Sequence, residues 1–268
     1  MTSSAPSVAT DPASVRLHGD LAARVPAITL LFWVIKTLTT GMGEALSDFL
    51  ANTNIVAAIA IGVLGLAGAL WLQIRSGRYS APRYWLAVAM VAVFGTMAAD
   101  GIHLVGLPYV VTTVFYLLVV GGLFAVWHRS EGTLSIHSIT TRRRELFYWA
   151  TVLASFALGT AAGDLTADQL GLGYLPSVVI FGVAIAVPAV GWRFFRMNPV
   201  LAFWIAYVLT RPLGASIADW IGKPASHGGG LGFGDGTVAA ASGVVIALLV
   251  GYLTVRRTDV QTPGPLPA

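Results

Sequence analysis

Four copies of one spacing run through this chain: an aromatic residue and a Trp, a Gly ten residues after the Trp, and an Asp fifteen residues after it. The copies are Phe32-Trp33…Gly43…Asp48, Tyr84-Trp85…Gly95…Asp100, Tyr148-Trp149…Gly159…Asp164 and Phe203-Trp204…Gly214…Asp219. A small residue (Ser47, Ala99, Gly163, Ala218) stands just before each Asp, and the Trp positions lie 52, 64 and 55 residues apart. Self-similarity at such a period marks one supersecondary unit repeated and stacked on itself. Any fold for this chain must therefore place four equivalent units, each with an acid embedded in apolar sequence.

Charged residues make up only 10% of the chain, and hydrophobic ones 56%. A soluble domain carries about 25% charged residues, so this composition points to lipid. Stretches of roughly 20 apolar residues, enough to cross a bilayer as a helix, lie near 26–49, 54–74, 82–104, 107–127, 146–169, 174–194, 199–221 and 237–255. The expected fold is an all-α integral membrane protein with eight transmembrane helices. They form four two-helix repeats (about 26–75, 82–129, 146–196 and 199–256) in a single membrane domain, 25–256, with the motif on the first helix of each repeat. Residues 1–24 lack the apolar core of a signal peptide. They read, like 257–268, as a disordered cytoplasmic tail. Cys is absent, which excludes disulfides and thiolate metal sites.

Thirteen of the sixteen Lys and Arg fall before the first stretch, after the last, or in the connections that follow even-numbered stretches. Lys223 alone lies in a connection on the other side, and Lys36 and Arg211 lie within helices. The positive-inside rule then puts both termini in the cytoplasm of a multi-pass protein of the inner (plasma) membrane. This asymmetry accounts for the net charge of +4 without nucleic acid as a partner. Because each repeat holds an even number of helices, all four insert in the same direction. They are parallel repeats related by rotation about the membrane normal.

From Trp to Asp is roughly 22 Å of helix. Trp33, Trp85, Trp149 and Trp204 suit an interfacial aromatic belt and count with the repeat glycines as packing positions; the four Asp then share one depth in the outer part of the membrane. Gly43, Gly95, Gly159 and Gly214 read as close-packing positions. A helix break that bares carbonyls to an ion is the alternative reading.

Stepping back from each Asp in fours traces one face of the helix, turning by about 40° per step. The stripes read Lys36, Thr40, Glu44, Asp48; Val88, Ala92, Thr96, Asp100; Val152, Phe156, Thr160, Asp164, with Asp168 a turn further; and Tyr207, Arg211, Ala215, Asp219. Charges deep in a membrane avoid lipid, so the stripes should face one another. Two bases, Lys36 and Arg211, then meet six acids: Glu44, Asp48, Asp100, Asp164, Asp168 and Asp219. Lys36 is expected to pair with Glu44 or a neighbouring stripe, and Arg211 with Asp219 or Asp164. Carboxylates left over are candidates to bind a cation or a proton. Oxygen donors without Cys favour hard ions such as Mg²⁺ or Mn²⁺. The structural reading of the same acids is that each Asp caps the following helix.

Other signals are weaker. His103, one turn beyond Asp100, reads as a hydrogen-bonded histidine rather than a ligand. The run Gly228-Gly229-Gly230-Leu231-Gly232-Phe233-Gly234-Asp235-Gly236 lacks the lysine of a phosphate loop and reads as a flexible connection or a lid. No Ser-His-Asp order, His-Glu-x-x-His or Gly-x-Ser-x-Gly pattern supports catalysis, so the chain is not expected to be an enzyme or to need a cofactor.

The strings Lys36-Thr37-Leu38-Thr39-Thr40-Gly41-Met42-Gly43-Glu44 with Asp48, Gly159-Thr160-Ala161-Ala162-Gly163-Asp164, and Phe203-Trp204-Ile205-Ala206-Tyr207 leading into Thr210-Arg211-Pro212-Leu213-Gly214 resemble a known group. It is an uncharacterised family of bacterial multi-pass membrane proteins built from four tandem two-helix repeats of unknown function. The resemblance covers about residues 26–255 and implies the eight-helix layout, with no activity attached. The residues themselves point to a secondary transporter of a small cation with proton coupling. The alternative is a non-transporting scaffold or partner-binding subunit whose acids are structural. The bilayer, a cation or proton, and a possible second copy of the chain are the expected partners.

Overall fold

The computed structural model describes residues 23–104 and 106–261. The long helices are α1 (Leu30–Thr53), α2 (Ile55–Ser76), α3 (Ala81–Leu104), α4 (Tyr109–Glu131), α5 (Arg142–Asp164), α6 (Tyr174–Phe194), α7 (Pro199–Gly222) and α8 (Asp235–Arg256). A 3₁₀ turn, Ile136–Ser138, precedes α5, and a π-helical turn, Leu165–Gln169, continues it. No strand occurs among the described residues.

Side-chain caps decide several helix starts. Thr29 accepts from the Phe32 amide, Asn54 from Val56 and Ala57, Thr141 from Arg144, and Asn198 from Val200 and Leu201. The Thr141 cap is why α5 begins at Arg142, ahead of the apolar stretch expected from 146. Gly77 and Gly132 close α2 and α4 in the left-handed region, at φ 66° and 69°, where a Cβ is strained.

The first helices of the four repeats form a closed ring: α1 packs on α3, α3 on α5, α5 on α7, and α7 back on α1. The second helices lie outside, each chiefly against the first helix of the next repeat. Thus α2 meets α3, α4 meets α5, α6 meets α7, and α8 returns to α1. The repeat glycines form the seams. A Cβ at Gly43 would stand 2.3 Å from the Ala92 Cβ, one at Gly95 2.7 Å from that of Phe156, one at Gly159 2.4 Å from that of Arg211, and one at Gly214 2.8 Å from that of Thr40. All four partners hold the same place, eight residues before their own Asp. One register therefore recurs at every seam, and close backbone approach explains the glycines. The α-helices run unbroken through all four, so the helix-break alternative does not apply.

Seven of the eight helices are long and apolar enough to cross a membrane. The exception, α1, carries Lys36, Glu44 and Asp48, and α3, α7 and α8 pack around it. Exposed apolar side chains such as Val56, Leu64, Leu118, Val183 and Leu248 sit on the outer helices, a surface that suits lipid.

One end of the bundle brings residues 23–27 and 259 against the connections that follow α2 and α4. Backbone bonds run from Tyr79 to Ala23, from Arg24 to Ile139 and from Ala27 to Asp259. Glu145, fully buried, accepts from Arg24 Nη1 at 2.7 Å and Gln73 Nε2 at 3.0 Å. Tyr79 donates to the buried Asp259, and burial together with that carboxylate pushes its phenol well above the ordinary value. The expected tails lie mostly outside the described residues, but 23–29 and 257–261 belong to this clasp.

Candidate functional site

A ring of four helices makes the stripe positions meet, and the structure stacks them as layers. Farthest from the acids are Phe32, Tyr84, Tyr148 and Phe203. Each packs on the Trp of the next repeat, with centroid distances of 5.7 Å (Phe32–Trp85), 5.5 Å (Tyr84–Trp149), 6.1 Å (Tyr148–Trp204) and 5.7 Å (Phe203–Trp33). Tyr84 and Tyr148 share a hydroxyl hydrogen bond. The tryptophans therefore fill seams. Trp85, Trp149 and Trp204 are 2–4% exposed, held inside the bundle as packing residues between repeats. The reason is angular: one residue is about 100° of helix, which turns each Trp from its axial neighbour toward the adjoining helix.

The next layer holds Lys36, Val88, Val152 and Tyr207, all at 0–1% exposure. The Lys36 ammonium lies 4.0 Å from the Phe156 ring centroid and 4.4 Å from that of Tyr207, an attractive cation–π geometry. It donates to Thr210 Oγ1 at 3.2 Å and Thr40 Oγ1 at 3.4 Å. Among the described residues Lys36 does not pair with Glu44; its contacts on neighbouring stripes are the rings of Phe156 and Tyr207 rather than a carboxylate. Glu44 sits two turns up, about 12 Å along α1, and is engaged elsewhere.

Its partner is Arg211. The Nη2 donates to Glu44 Oε2 at 2.6 Å and to the Thr96 and Thr160 hydroxyls; Nη1 donates to the Thr40 carbonyl at 3.1 Å and Nε to that of Phe156 at 3.4 Å. Thr96 in turn donates to Glu44 Oε2 at 3.0 Å. One guanidinium from α7 thus ties down α1, α3 and α5. Arg211 was expected on Asp219 or Asp164. Ala215, the α7 residue level with Glu44, Thr96 and Thr160, leaves the space into which the guanidinium extends, whereas Asp219 lies two turns above it on the same helix.

The outermost layer carries Asp48, Asp100, Asp164 and Asp219. None caps a helix: Asn54 caps α2, and α4, α6 and α8 start at Pro108, Gly173 and Gly234 without a side-chain cap. Glu44, Asp48 and Asp219 come together, each offering an oxygen within 4.8 Å of the others, a group able to hold a metal ion. Glu44 is 4% and Asp219 9% exposed, and the Asp219 carboxylate has no hydrogen-bond or ion-pair partner among the described residues. Asp48 Oδ2 accepts from Lys223 Nζ at 2.5 Å, and Asp235 Oδ2 accepts from the same ammonium at 3.1 Å. Burial pulls Lys223 down, but Asp48, Asp219 and Asp235 outweigh it and hold the ammonium well above the usual lysine value. Asp100 and Asp164 are half-buried, lie within Coulomb range of Glu44, and are not bonded to any described group. Asp168 is exposed on the π turn. His103 bonds the Leu107 carbonyl at 3.0 Å and stacks on Tyr109.

The Gly-rich connection is pinned rather than loose. Leu231, Gly232, Phe233 and Gly234 donate back to Trp220, Lys223, Ile221 and Gly222, and Gly228 accepts from Tyr174. A Cβ at Gly230 would lie 1.9 Å from the Lys223 carbonyl. This folded-back turn is what sets Asp235 against Lys223.

A family described as Repeat of Unknown Function (DUF347) matches residues 31–79, 83–133, 147–198 and 202–259. Every match starts one residue before the aromatic–Trp pair and spans one inner and one outer helix. The chain belongs to this family. No curated protein and no solved structure matches it.

In this DUF347 chain the stripe residues were legible in sequence, but Lys223 and Asp235 were not singled out. A signal existed for the first: Lys223 is four residues past Asp219, one more step along the same stripe. Asp235 had none, because only the fold of the glycine turn brings it there.

Proposed function

We propose that this protein is a secondary transporter for a small cation, coupled to protons, in the inner (plasma) membrane with both termini cytoplasmic. The observation that carries the reading is the meeting of Glu44, Asp48 and Asp219 on one side of the Arg211 plug. On the other side, aromatic rings and Lys36 fill the space between the inner helices. Acids on one side of Arg211 and packed rings on the other give the asymmetry that one state of a carrier requires. A cation that binds Glu44 shares its carboxylate with Arg211, and so weakens the bonds holding α7 to α1, α3 and α5. Protons compete for the same oxygens, which supplies the coupling. Asp100 and Asp164 extend the acidic wall, and Asp168 lies at its rim. No catalytic step is assigned to these groups.

The second reading, a non-transporting scaffold, draws on the way Arg211 cross-links the ring. The two separate in proteoliposomes. Transport requires cation-driven proton movement that Asp48→Asn and Asp219→Asn abolish while the protein still melts as wild type. Wild-type vesicles passive to every cation and proton gradient, with the variants losing thermal stability, would establish the scaffold instead.

A further inference from the structure

We infer that Glu44, Asp48 and Asp219 form a binding site for a hard divalent cation of the Mg²⁺ or Mn²⁺ class, and that the Lys223 ammonium guards it by exchanging with that ion. Two independent observations carry this. The first is the convergence of the three carboxylates within 4.8 Å. The second is Asp219 itself, nine-tenths buried with an unpartnered carboxylate facing that group. Helices bury a carboxylate at a cost of several kcal/mol unless a donor or an ion meets it, and no described donor does.

The donors that remain name the ion. Arg211 and Thr96 engage only Oε2 of Glu44, and Lys223 engages only Oδ2 of Asp48. One oxygen of each, and both of Asp219, are left. All are hard oxygen donors; the chain has no Cys, and His103 is turned toward Leu107. Such a set suits Mg²⁺, Mn²⁺ or Ca²⁺ rather than zinc or copper. Charge favours a divalent ion: Glu44, Asp48, Asp219 and Asp235 outnumber the two bases bonded within the group, Arg211 and Lys223.

Lys223 completes the device. Its ammonium is bound to Asp48, one of the three ligands, and also to Asp235, which is not one of them. An arriving cation takes Asp48, and Lys223 falls back on Asp235 at the start of α8. The pinned glycine turn keeps that second carboxylate within reach, so the ammonium is never stranded without a partner.

The inference rests on the transport reading only for the purpose of the site, and its test is a binding measurement. Purified full-length protein in nanodiscs is titrated with Mn²⁺ alone, and free Mn²⁺ is followed by its electron paramagnetic resonance signal. The expected result is one saturable Mn²⁺ per chain, displaced by Mg²⁺ and not by Na⁺. Asp219→Asn weakens it at least tenfold. Lys223→Gln tightens it several-fold, because the tethered competitor is gone. Melting curves confirm that each variant is folded, and Asp48→Asn stands in if Asp219→Asn is not. Absence of saturable binding by folded wild type, or unchanged binding by the folded Asp219→Asn protein, overturns the site. Binding by Lys223→Gln equal to or weaker than wild type overturns the exchange. Saturable Mn²⁺ binding in protein whose vesicles stay passive refutes transport and leaves the site standing. Flux of another cation without Mn²⁺ binding refutes the site alone.

Discussion

Arg211→Met tests the centre of the ring most directly. The guanidinium is 1% exposed and supplies the only ion pair to Glu44 among the described residues, Glu44 itself being 4% exposed. Removing one member of a buried pair costs about 3–5 kcal/mol, because the other charge stays behind unpaired. The bonds to Thr96 and Thr160 add about 0.6 kcal/mol each, the average for interhelical hydrogen bonds in membranes. At about 2–4 °C per kcal/mol for a chain of this size, the melting temperature in nanodiscs should fall on the order of 10–20 °C. Methionine keeps an unbranched apolar stem of similar bulk to arginine's, so the loss reports mainly charge rather than volume. The decisive comparison is Glu44→Gln/Arg211→Met, which removes the stranded charge and should recover most of the fall, to within about 1–2 kcal/mol of wild type. Unfolding followed by intrinsic tryptophan fluorescence suits the protein, since Trp85, Trp149 and Trp204 line the seams that would open. A single variant within about 2 °C of wild type, or a double variant whose loss is the sum of the two single ones, refutes the coupling.

Other outcomes are equally definite. Gly43→Ala forces a methyl onto the Ala92 backbone carbon at 2.8 Å and should cost about 1–3 kcal/mol; Gly68→Ala, with nothing within 4 Å, should be neutral or slightly stabilising in the same melting assay. Lys36→Met leaves no carboxylate orphaned and removes a buried charge, so stability should hold or rise; a fall as deep as that of Arg211→Met would show that Lys36 has an ionic partner after all. Lys223 is held above the ordinary lysine value, so its stabilisation is complete below about pH 10.4, where the unfolded chain titrates, and is lost only as pH rises past the folded value. The stability penalty of Lys223→Gln should therefore stay level from about pH 7.5 to 9.5, and a penalty that shrinks toward the alkaline end contradicts the Asp48–Lys223–Asp235 bridge.

Periodicity revealed what depends on one helix at a time. Depth along an inner helix follows from counting fours back from Asp48, Asp100, Asp164 or Asp219, and the layers of the ring keep that count. Glycines at a fixed offset announced close packing, and the seams show it. What counting could not deliver was partnership across the axis. Arg211 reaches a full turn above its own Cα, so its layer in sequence is not the layer where its charge acts. Lys36 lacks a carboxylate because Arg211 has taken the one nearest on α1, a competition visible only once both helices are placed. The Trp residues pack between repeats, but a period of four does not say which residue of the adjoining helix each one meets.

Rotational repetition also explains where the repeats had to diverge. At the seams, Gly43, Gly95, Gly159 and Gly214 face Ala92, Phe156, Arg211 and Thr40, equivalent places filled by four different residues. Off the axis a residue meets only its neighbour, and one sequence can serve all four copies. On the axis it meets its own copies, and four guanidiniums at van der Waals distance would repel with little solvent to screen them. A ring with arginine in the middle therefore admits one, and the other repeats must supply its acceptors: Glu44 from the first, Thr96 from the second and Thr160 from the third. The fourth supplies the arginine and, one turn on, the small Ala215 that makes room for it. The same division leaves Glu44, Asp48, Lys36, Arg211, Asp219 and Lys223 all on α1 and α7 or at the end of α7, the helices contributed by the first and last repeats. The seam that closes the ring thus gathers both buried bases of the inner helices with three of their acids, Glu44, Asp48 and Asp219, which the repeat as such does not specify.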